Sequence, residues 1–220
     1  MERNAFPMTS PLIAPELEAQ LRQLLENITQ PVSMTCILDD GAKSAEMAAF
    51  LNHFAGLSPL LNLEFYTPQE APQLADRLNA RLLPATGIGK PDGTPRMIFH
   101  GIPGGKEISS FATAVLTAGG GARELDKYTL RDIGKIKRPM NLEVCVSLAC
   151  HHCAQTVAAC QRIAWENPLV TAHMIDANLY PDLVRQYAIE RVPLTVLDGS
   201  QMIPGGKTLA EMTTLLARQK

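Results

Sequence analysis

The chain has 220 residues, of which 46% are hydrophobic and 19% are charged, as in an ordinary globular protein. This length is enough for one large domain or two small ones. The net charge of −2 argues against a nucleic-acid or membrane surface held by bulk electrostatics. No stretch approaches the about 20 apolar residues of a membrane span, and the N-terminus shows no signal peptide, so we expect a cytoplasmic protein.

Four segments are predicted along the chain. Residues 1–30 form an N-terminal segment with a helix over about 15–27, and residues 31–119 form a first module. Residues 120–139 begin as a glycine linker, GGG, and then become a short connecting helix. Residues 140–220 form a second module.

The second module shows its secondary structure most clearly. LEVCVS predicts a strand, the run 149–165 a helix, VTAHMID a strand and LYPDLVRQYAI a helix. PLTVL and QMIP predict a hairpin around the turn DGS, and a last helix begins at about Thr208. The order β-α-β-α-β-β-α is the thioredoxin arrangement, and the first module has the same order.

The two modules also repeat one another in sequence. IPGGK occurs at 102–106 and again at 203–207, and PVSMTCILDDGAKSAEMAAF aligns with MNLEVCVSLACHHCAQTVAA, which pairs Cys36 with Cys145. The turn-rich stretch GIGKPDGT predicts a longer hairpin loop in the first module. We therefore expect an α/β protein of two tandem thioredoxin-like folds, with mixed central sheets flanked by helices.

Cys150 and Cys153 form a CHHC motif that follows a predicted strand. The helix that comes next would hold both cysteines on its first turn, where residues three apart share a face and their sulfurs can meet. Unpaired N–H groups and the helix dipole would lower the pKa of Cys150, which makes it the attacking thiolate. Cys153 would then resolve the mixed disulfide.

Two other interpretations of this motif are a metal site and a pair of core thiols. Zinc needs four ligands that converge tetrahedrally, but on a helix His151 and His152 project away from the cysteines. The other histidines, His53, His100 and His173, stand isolated in the sequence. A CxxC at a helix start after a strand is more typical of redox chemistry than of packing. We therefore predict a redox site with no metal ligands.

Residues outside the motif bear on the same interpretation. Pro193 lies where a thioredoxin fold has its cis-proline, and the alternative is a trans proline that starts an edge strand. In the first module GAKS, residues 41–44, fills the CxxC position, so that module has no thiol for exchange. Cys36 and Cys145 are predicted to be buried, and Cys160 is either a core residue or a third redox partner.

The chain resembles the N-terminal domain of the flavoprotein subunit of bacterial alkyl hydroperoxide reductase. PVSMTCILDDGAKSAEM, PRMIFHGIPGGKEISS, VSLACHHC and IERVP carry the resemblance, which extends over the whole chain from about Ala14. It implies tandem thioredoxin folds with one disulfide centre, in the second fold. That domain accepts electrons from a flavin- and nicotinamide-binding reductase and reduces an oxidised peroxiredoxin, in peroxide defence.

The resemblance also assigns residue roles. It makes Cys150 the nucleophile that attacks the peroxiredoxin disulfide and Cys153 its resolving partner. Glu107, in GGKEISS, matches a family acidic residue of the first fold that lies near the disulfide centre. We predict that Glu107 is catalytic, as the proton acceptor for Cys153; the alternative is a solvated carboxylate at a helix start.

Two departures from the family pattern matter. The family usually reads CHNC, and His152 stands where the asparagine would be. Beside the thiolate it can favour the reduced form, so His152, with His151 and Pro193, is expected to support the site. The chain also has no GxGxxG nucleotide motif, so we expect no cofactor in it, and FAD and NAD(P)H on a partner domain or separate reductase.

The expected function is thus a dithiol–disulfide oxidoreductase with two protein partners, a peroxiredoxin subunit and a flavoprotein disulfide reductase, and with no nucleic-acid or membrane partner. One alternative is a general protein disulfide reductase or isomerase, which the change at His152 makes plausible. The other is a non-enzymatic thioredoxin-fold scaffold whose cysteines bind metal or pack.

Overall fold

The computed structural model describes residues 5–219, so residues 1–4 of the predicted N-terminal segment and Lys220 of the predicted second module lie outside the described part. In chain order the elements are α1 (Pro15–Leu25), β1 (Val32–Ile37), α2 (Ala42–Ala55), β2 (Leu61–Tyr66), α3 (Pro72–Arg77), β3 (Ala85–Gly89), β4 (Met97–His100), a 3₁₀ turn (Gly105–Glu107), α4 (Ile108–Ala118), α5 (Lys127–Ile133), β5 (Met140–Val146), α6 (Cys153–Glu166), β6 (Val170–Asp176), α7 (Pro181–Gln186), β7 (Leu194–Leu197), β8 (Gln201–Pro204) and α8 (Leu209–Leu216).

The strands form one eight-stranded sheet in the order β2-β1-β3-β4-β6-β5-β7-β8. Each half is mixed: β1 is parallel to β2 and antiparallel to β3, and β5 is parallel to β6 and antiparallel to β7. The halves join where β4 pairs in parallel with β6, so that Met97 lies opposite Ala172. The sequence predicted a sheet in each module, but it did not predict that the two sheets are continuous. The names first module and second module are kept here for residues 31–119 and 140–220.

The order of elements predicted from the sequence is confirmed. The predicted linker contains α5, whose first turn is capped by the Asp126 carboxylate, which accepts from the N–H groups of Tyr128 and Thr129. The predicted longer loop of the first module is also present, since the β3–β4 connection spans 90–96 and the β7–β8 connection only 198–200.

The start of α6 differs from the prediction. Both cysteines of the CHHC motif were expected on the first helical turn, but the helix begins at Cys153. The Cys150 N–H donates to the Ser147 carbonyl at 2.9 Å and so closes a separate turn ahead of the helix. Hydrophobic periodicity does not distinguish such a turn from a first helical turn, which is why the boundary was misplaced.

The main core lies between one face of the sheet and the helices α2, α4, α6 and α8, and it runs through both modules. At its centre the Phe111 ring of α4 meets Phe50, Phe54 and Phe99 edge-on, with ring centroids 4.9 to 5.7 Å apart. Such edge-to-face contacts add about 0.5–1.5 kcal/mol per pair to the burial of the rings. Because α4 also packs against α6, the first module is fixed against the helix that carries Cys153.

Two histidines that stand far apart in sequence meet where the sheets join. His100 Nε2 lies 2.9 Å from His173 Nδ1, the rings are stacked, and His100 Nδ1 lies 2.8 Å from the Leu82 carbonyl oxygen. Burial lowers the pKa of both rings, that of His100 to about 4. The sequence interpretation of these two histidines as isolated was therefore wrong, because only the β4–β6 pairing brings them together.

Candidate active site

The two cysteines of the CHHC motif form a disulfide between Cys150 and Cys153, with Cα atoms 5.5 Å apart. β5 ends at Val146, a turn follows, and Cys153 opens α6. Cys153 is fully buried, whereas Cys150 is partly exposed. A partner thiol or disulfide can therefore reach only the Cys150 sulfur. Cys150 lies just outside the N-terminus of α6, where the free N–H groups of the first turn favour a negative charge.

A proline lies beside the exposed sulfur. The Val192–Pro193 bond is cis, which decides between the two alternatives for Pro193, and the Val192 carbonyl oxygen lies 3.9 Å from Cys150 Sγ. The corresponding bond of the first module, Leu83–Pro84, is cis as well. The two modules therefore share this backbone feature, although only the second has cysteines beside it.

The two histidines of the motif are exposed. The second IPGGK copy passes next to His152, since a Cβ at Gly206 would lie 3.5 Å from His152 Cβ. The same segment is held to α6 because the Lys207 N–H donates to Thr156 Oγ1 at 2.9 Å. An influence of His152 on the cysteines stays a prediction, for which the redox measurement is given in the Discussion.

Glu107 reaches the same site from the first module. The Lys106 N–H donates to the Leu148 carbonyl at 2.9 Å, two residues before Cys150. Gly105 has a φ of +55°, and a Cβ there would lie 2.6 Å from the Leu148 carbonyl oxygen, so only glycine permits this approach. The 3₁₀ turn that ends in Glu107 also contacts α6. The first IPGGK copy is therefore packed against the CHHC loop of the second module.

The Glu107 carboxyl group is fully buried. The Ser110 hydroxyl donates to Glu107 Oε2 at 2.6 Å, while Oε1 has no hydrogen-bond partner among residues 5–219. Burial, together with the negative charge of Asp176, raises the Glu107 pKa to about 7. This geometry contradicts the solvated alternative, and a pKa near neutral pH is suited to proton transfer. The role of Glu107 as the proton acceptor for Cys153 stays a prediction.

Asp176, a second buried carboxyl group of the second module, was not predicted from the sequence. It is the last residue of the strand VTAHMID and is 4% exposed. The active-site strand β5 contains one carboxylate, Glu143, which accepts a hydrogen bond from the Tyr187 hydroxyl at 2.6 Å. The sequence shows an aspartate at the C-terminal end of the strand that pairs with the active-site strand. That position does not indicate whether the carboxyl group is buried.

The remaining cysteines are confirmed as core residues. Cys36, Cys145 and Cys160 are free and fully buried, and burial raises the pKa of each to about 12. Thiols with such pKa values are almost entirely protonated at neutral pH and are poor nucleophiles. This decides against Cys160 as a third redox partner.

In the first module the position of the CxxC holds no sulfur. Gly41 precedes α2, and the Ser44 hydroxyl donates to Asp39 Oδ1 at 2.6 Å. The Gly41 N–H donates to the same oxygen at 2.9 Å. A side-chain and backbone hydrogen-bond network thus takes the place of the disulfide at this helix start.

Across residues 5–219, no cluster of three or more His, Cys, Asp or Glu side chains has an arrangement that could hold a metal ion. None of the helices in the same part of the chain is long and apolar enough to cross a membrane.

Known sequences resemble both the second module and the chain as a whole. The family described as Thioredoxin domain matches residues 140–217. The F subunit of alkyl hydroperoxide reductase from Pseudomonas putida is 33% identical over 196 residues, which is 89% of this chain and 36% of that protein. The F subunit from Escherichia coli is 31% identical with the same coverage. The chain thus spans 36% of the length of these curated relatives.

Solved structures extend the similarity to the fold of the whole chain. The NTD_N/C domain of alkylhydroperoxide reductase AhpF from Enterococcus faecalis is 33% identical with a TM-score of 0.87, over 92% of this chain and 99% of that one. A protein disulfide oxidoreductase from Aeropyrum pernix has a TM-score of 0.82, covers 93% of this chain and 92% of that one, and at 18% identity shows the shared fold alone. The chain therefore belongs to the family of alkyl hydroperoxide reductase F subunits, as a thiol–disulfide oxidoreductase domain built from two thioredoxin-like folds.

Proposed function

We propose that this domain relays two electrons from a flavin-dependent reductase to the disulfide of an oxidised peroxiredoxin. The observation that carries the proposal is the Cys150–Cys153 disulfide, of which only one sulfur is exposed, beside the cis bond of Pro193. The relatives are named as F subunits of alkyl hydroperoxide reductase, which supports a role in peroxide reduction.

The exchange begins from the reduced dithiol. The Cys150 thiolate attacks one sulfur of the peroxiredoxin disulfide, which forms a mixed disulfide and releases the other peroxiredoxin sulfur as a thiolate. Glu107 then accepts the proton of the Cys153 thiol, and the Cys153 thiolate attacks the Cys150 sulfur. The bond between Cys150 and the peroxiredoxin breaks, the second peroxiredoxin thiolate leaves, and the Cys150–Cys153 disulfide forms again. Two electrons have passed from the domain to its partner.

The electrons for the next cycle come from a reductase that carries FAD and takes hydride from NAD(P)H, on a partner domain or a separate protein. We expect the reaction to take place in the cytoplasm. The three free buried cysteines support a reducing compartment, in which a lone close pair of cysteines is catalytic rather than structural.

The relay is tested by reconstitution. A flavoprotein disulfide reductase, NAD(P)H and an oxidised two-cysteine peroxiredoxin are mixed with and without this chain, and NAD(P)H consumption is followed by absorbance. We expect sustained consumption only with all components present, loss of it with Cys150→Ser, and retention with Cys160→Ser, which removes a buried thiol of α6.

Two results would contradict the relay. One is an equal rate with Cys150→Ser, which would exclude the disulfide from the path. The other is faster reduction of insulin than of the peroxiredoxin, which would favour a general protein disulfide reductase.

A further inference from the structure

The two copies of IPGGK both reach the CHHC motif, but their lysines differ. The Lys207 ammonium donates to three carbonyl oxygens of its own loop, at 204–206. The Lys106 side chain is exposed, and its ammonium has no ion pair or hydrogen bond with any residue of 5–219. The Lys106 N–H is bonded to the Leu148 carbonyl at 2.9 Å, two residues before Cys150. The backbone that carries this unpaired cation is therefore fixed to the loop of the exposed sulfur.

A second unpaired cation is carried by the segment that leads to the cis bond of Pro193. Arg191 directly precedes Val192, whose carbonyl oxygen lies 3.9 Å from Cys150 Sγ. Its side chain is exposed and forms no ion pair within residues 5–219. One cation of each module is thus attached, within two residues, to a backbone group that contacts the exposed cysteine or its loop.

A surface cleft of about 490 Å³ lies next to the same cysteine. Ser147 and Val192 line it, and the Ser147 carbonyl accepts the Cys150 N–H at 2.9 Å. The side chain of Val184, from α7, gives the cleft an apolar wall, and Arg191 lines it as well. A chain segment of a partner that brings its disulfide to Cys150 therefore finds a cleft beside the sulfur with a cation in its wall.

The exposed charges around the sulfur are mostly positive. Arg185, which also lines the cleft, forms an ion pair with Asp182, so these two charges cancel. Glu190 is exposed and unpaired within the described residues, against the two unpaired cations Lys106 and Arg191. The two exposed histidines of the CHHC motif carry no negative charge in either protonation state. The chain as a whole has a net charge of −2, so this cationic edge is a local feature.

We propose that Lys106 and Arg191 form a docking surface for an acidic segment of the oxidised partner, one in which carboxylates flank the disulfide. The inference rests on the proposed function and adds the chemical class of the substrate to it. Attraction between opposite charges speeds the encounter and fixes the orientation in which the partner disulfide meets Cys150. Because Lys106 belongs to the first module, the module without cysteines supplies part of the surface that selects the partner.

Two aromatic disulfides of different charge test the surface without any protein partner. Dithiobis(nitrobenzoate) carries a carboxylate on each ring, and dipyridyl disulfide is neutral. In both, the Cys150 thiolate of the reduced chain attacks one sulfur, a mixed disulfide forms, the disulfide bond of the probe breaks and a coloured thiolate leaves. The quantity measured is the ratio of the two rates of this first release, anionic probe over neutral probe, by stopped-flow absorbance.

Lys106→Gln and Arg191→Gln remove one charge each and keep the backbone N–H groups. Each substitution should lower the ratio about two- to fivefold at low salt, the range of exposed charge pairs, and the double variant should lower it further. Any effect of the variants on the Cys150 thiolate itself cancels in the ratio, and the rate with the neutral probe shows that the site is intact. Raising the ionic strength from about 0.01 M to about 1 M should bring the wild-type ratio close to that of the double variant.

The control is the double variant Arg123→Gln/Lys137→Gln, which removes the same charges from exposed positions far from the sulfur. Arg123 follows the C-terminal end of α4, whose other end begins beside Glu107, and Lys137 precedes β5, whose other end leads to the CHHC loop. This variant has the same net charge as the test variant. It should keep the wild-type ratio.

The protein partner is tested in the reconstituted relay. In Lys106→Gln/Arg191→Gln the KM for the oxidised peroxiredoxin should rise at least about twofold while kcat stays unchanged, because docking precedes exchange and neither side chain touches a reacting sulfur. The control variant should leave both constants unchanged.

An equal ratio in the wild type and the test variant overturns the inference, and so does an equal loss in the control variant or an unchanged KM for the peroxiredoxin. Absence of any turnover with the peroxiredoxin overturns the proposed function instead. In that case the ratio for the two small disulfides still decides whether the surface selects an acidic disulfide, so the two failures are distinguishable.

Discussion

Replacing Glu107 with glutamine should stabilise the folded protein at alkaline pH while it slows the reaction. A pKa of about 7, against 4.5 for an ordinary glutamate, corresponds to about 3 kcal/mol at about 1.4 kcal/mol per pKa unit. The folded state keeps Glu107 protonated up to a higher pH than the unfolded chain does. Its favourable contribution is therefore fully present below pH 4.5 and is lost as the pH rises through about 7. The neutral amide of the Glu107→Gln variant would mimic the protonated form at every pH.

Urea unfolding of the oxidised chain, followed by circular dichroism, measures this difference. At pH 8 we expect Glu107→Gln to exceed the wild type by about 3 kcal/mol in the free energy of unfolding, and near pH 4.5 we expect the two to converge. When the reduced variant reacts with an aromatic disulfide, Cys150 releases one coloured thiolate and Cys153 releases the second as it resolves the mixed disulfide. Release of the second thiolate should be about 100-fold slower than in the wild type, as when a general base is lost. The exposed Glu124, replaced by glutamine, is the control and should show neither effect.

A constant difference between Glu107→Gln and the wild type from pH 4.5 to pH 8 would refute the reasoning. It would show that Glu107 does not titrate in this range in the folded protein. A gain in stability at high pH with an unchanged resolving rate would instead confirm the burial argument and remove Glu107 from the mechanism.

Four further predictions concern other parts of the chain. In the reduced native protein iodoacetamide should label Cys150 at pH values well below the about 8.5 of a free thiol, and the three buried cysteines should label only after unfolding; mass spectrometry of digests distinguishes these outcomes from uniform labelling. Gly105→Ala should lower the free energy of unfolding by about 1 kcal/mol or more and should slow thiol–disulfide exchange. At Gly104 an added Cβ would have no atom within 4 Å, so Gly104→Ala should change neither quantity in unfolding and exchange assays. Because burial lowers the His100 pKa to about 4, the stabilising contribution of the neutral His100 ring is present above pH 6.5 and is lost as the pH falls through 4. His100→Gln should therefore flatten this part of the curve of unfolding free energy against pH. An unchanged slope in urea unfolding would contradict this expectation. His152→Asn should make the disulfide couple more reducing in a glutathione redox titration, and an unchanged potential would show that the exposed ring has no influence on the thiolate.

Much of the fold could be predicted from the sequence because it depends on local patterns. Period-two alternation in LEVCVS and helical spacing over 149–165 predicted β5 and α6, and the two copies of IPGGK revealed the tandem repeat. The redox pair was also predicted from local information, since a CxxC that follows a strand and precedes a helix is typical of redox chemistry. The family resemblance added Glu107, which no local pattern marks as a functional residue.

Contacts between the modules could not be derived in this way, because they depend on which surfaces pack together. The parallel pairing of β4 with β6 makes one sheet of two and brings together His100 and His173, which the sequence left isolated. The same packing buries Glu107 away from solvent and sets the charge of Asp176 near it, and it raises the pKa of Glu107 to about 7. The sequence by itself thus determined which residues carry the sulfur chemistry. The tertiary structure decided the proton affinity of the group beside them, because burial and long-range charge arise only when distant segments meet.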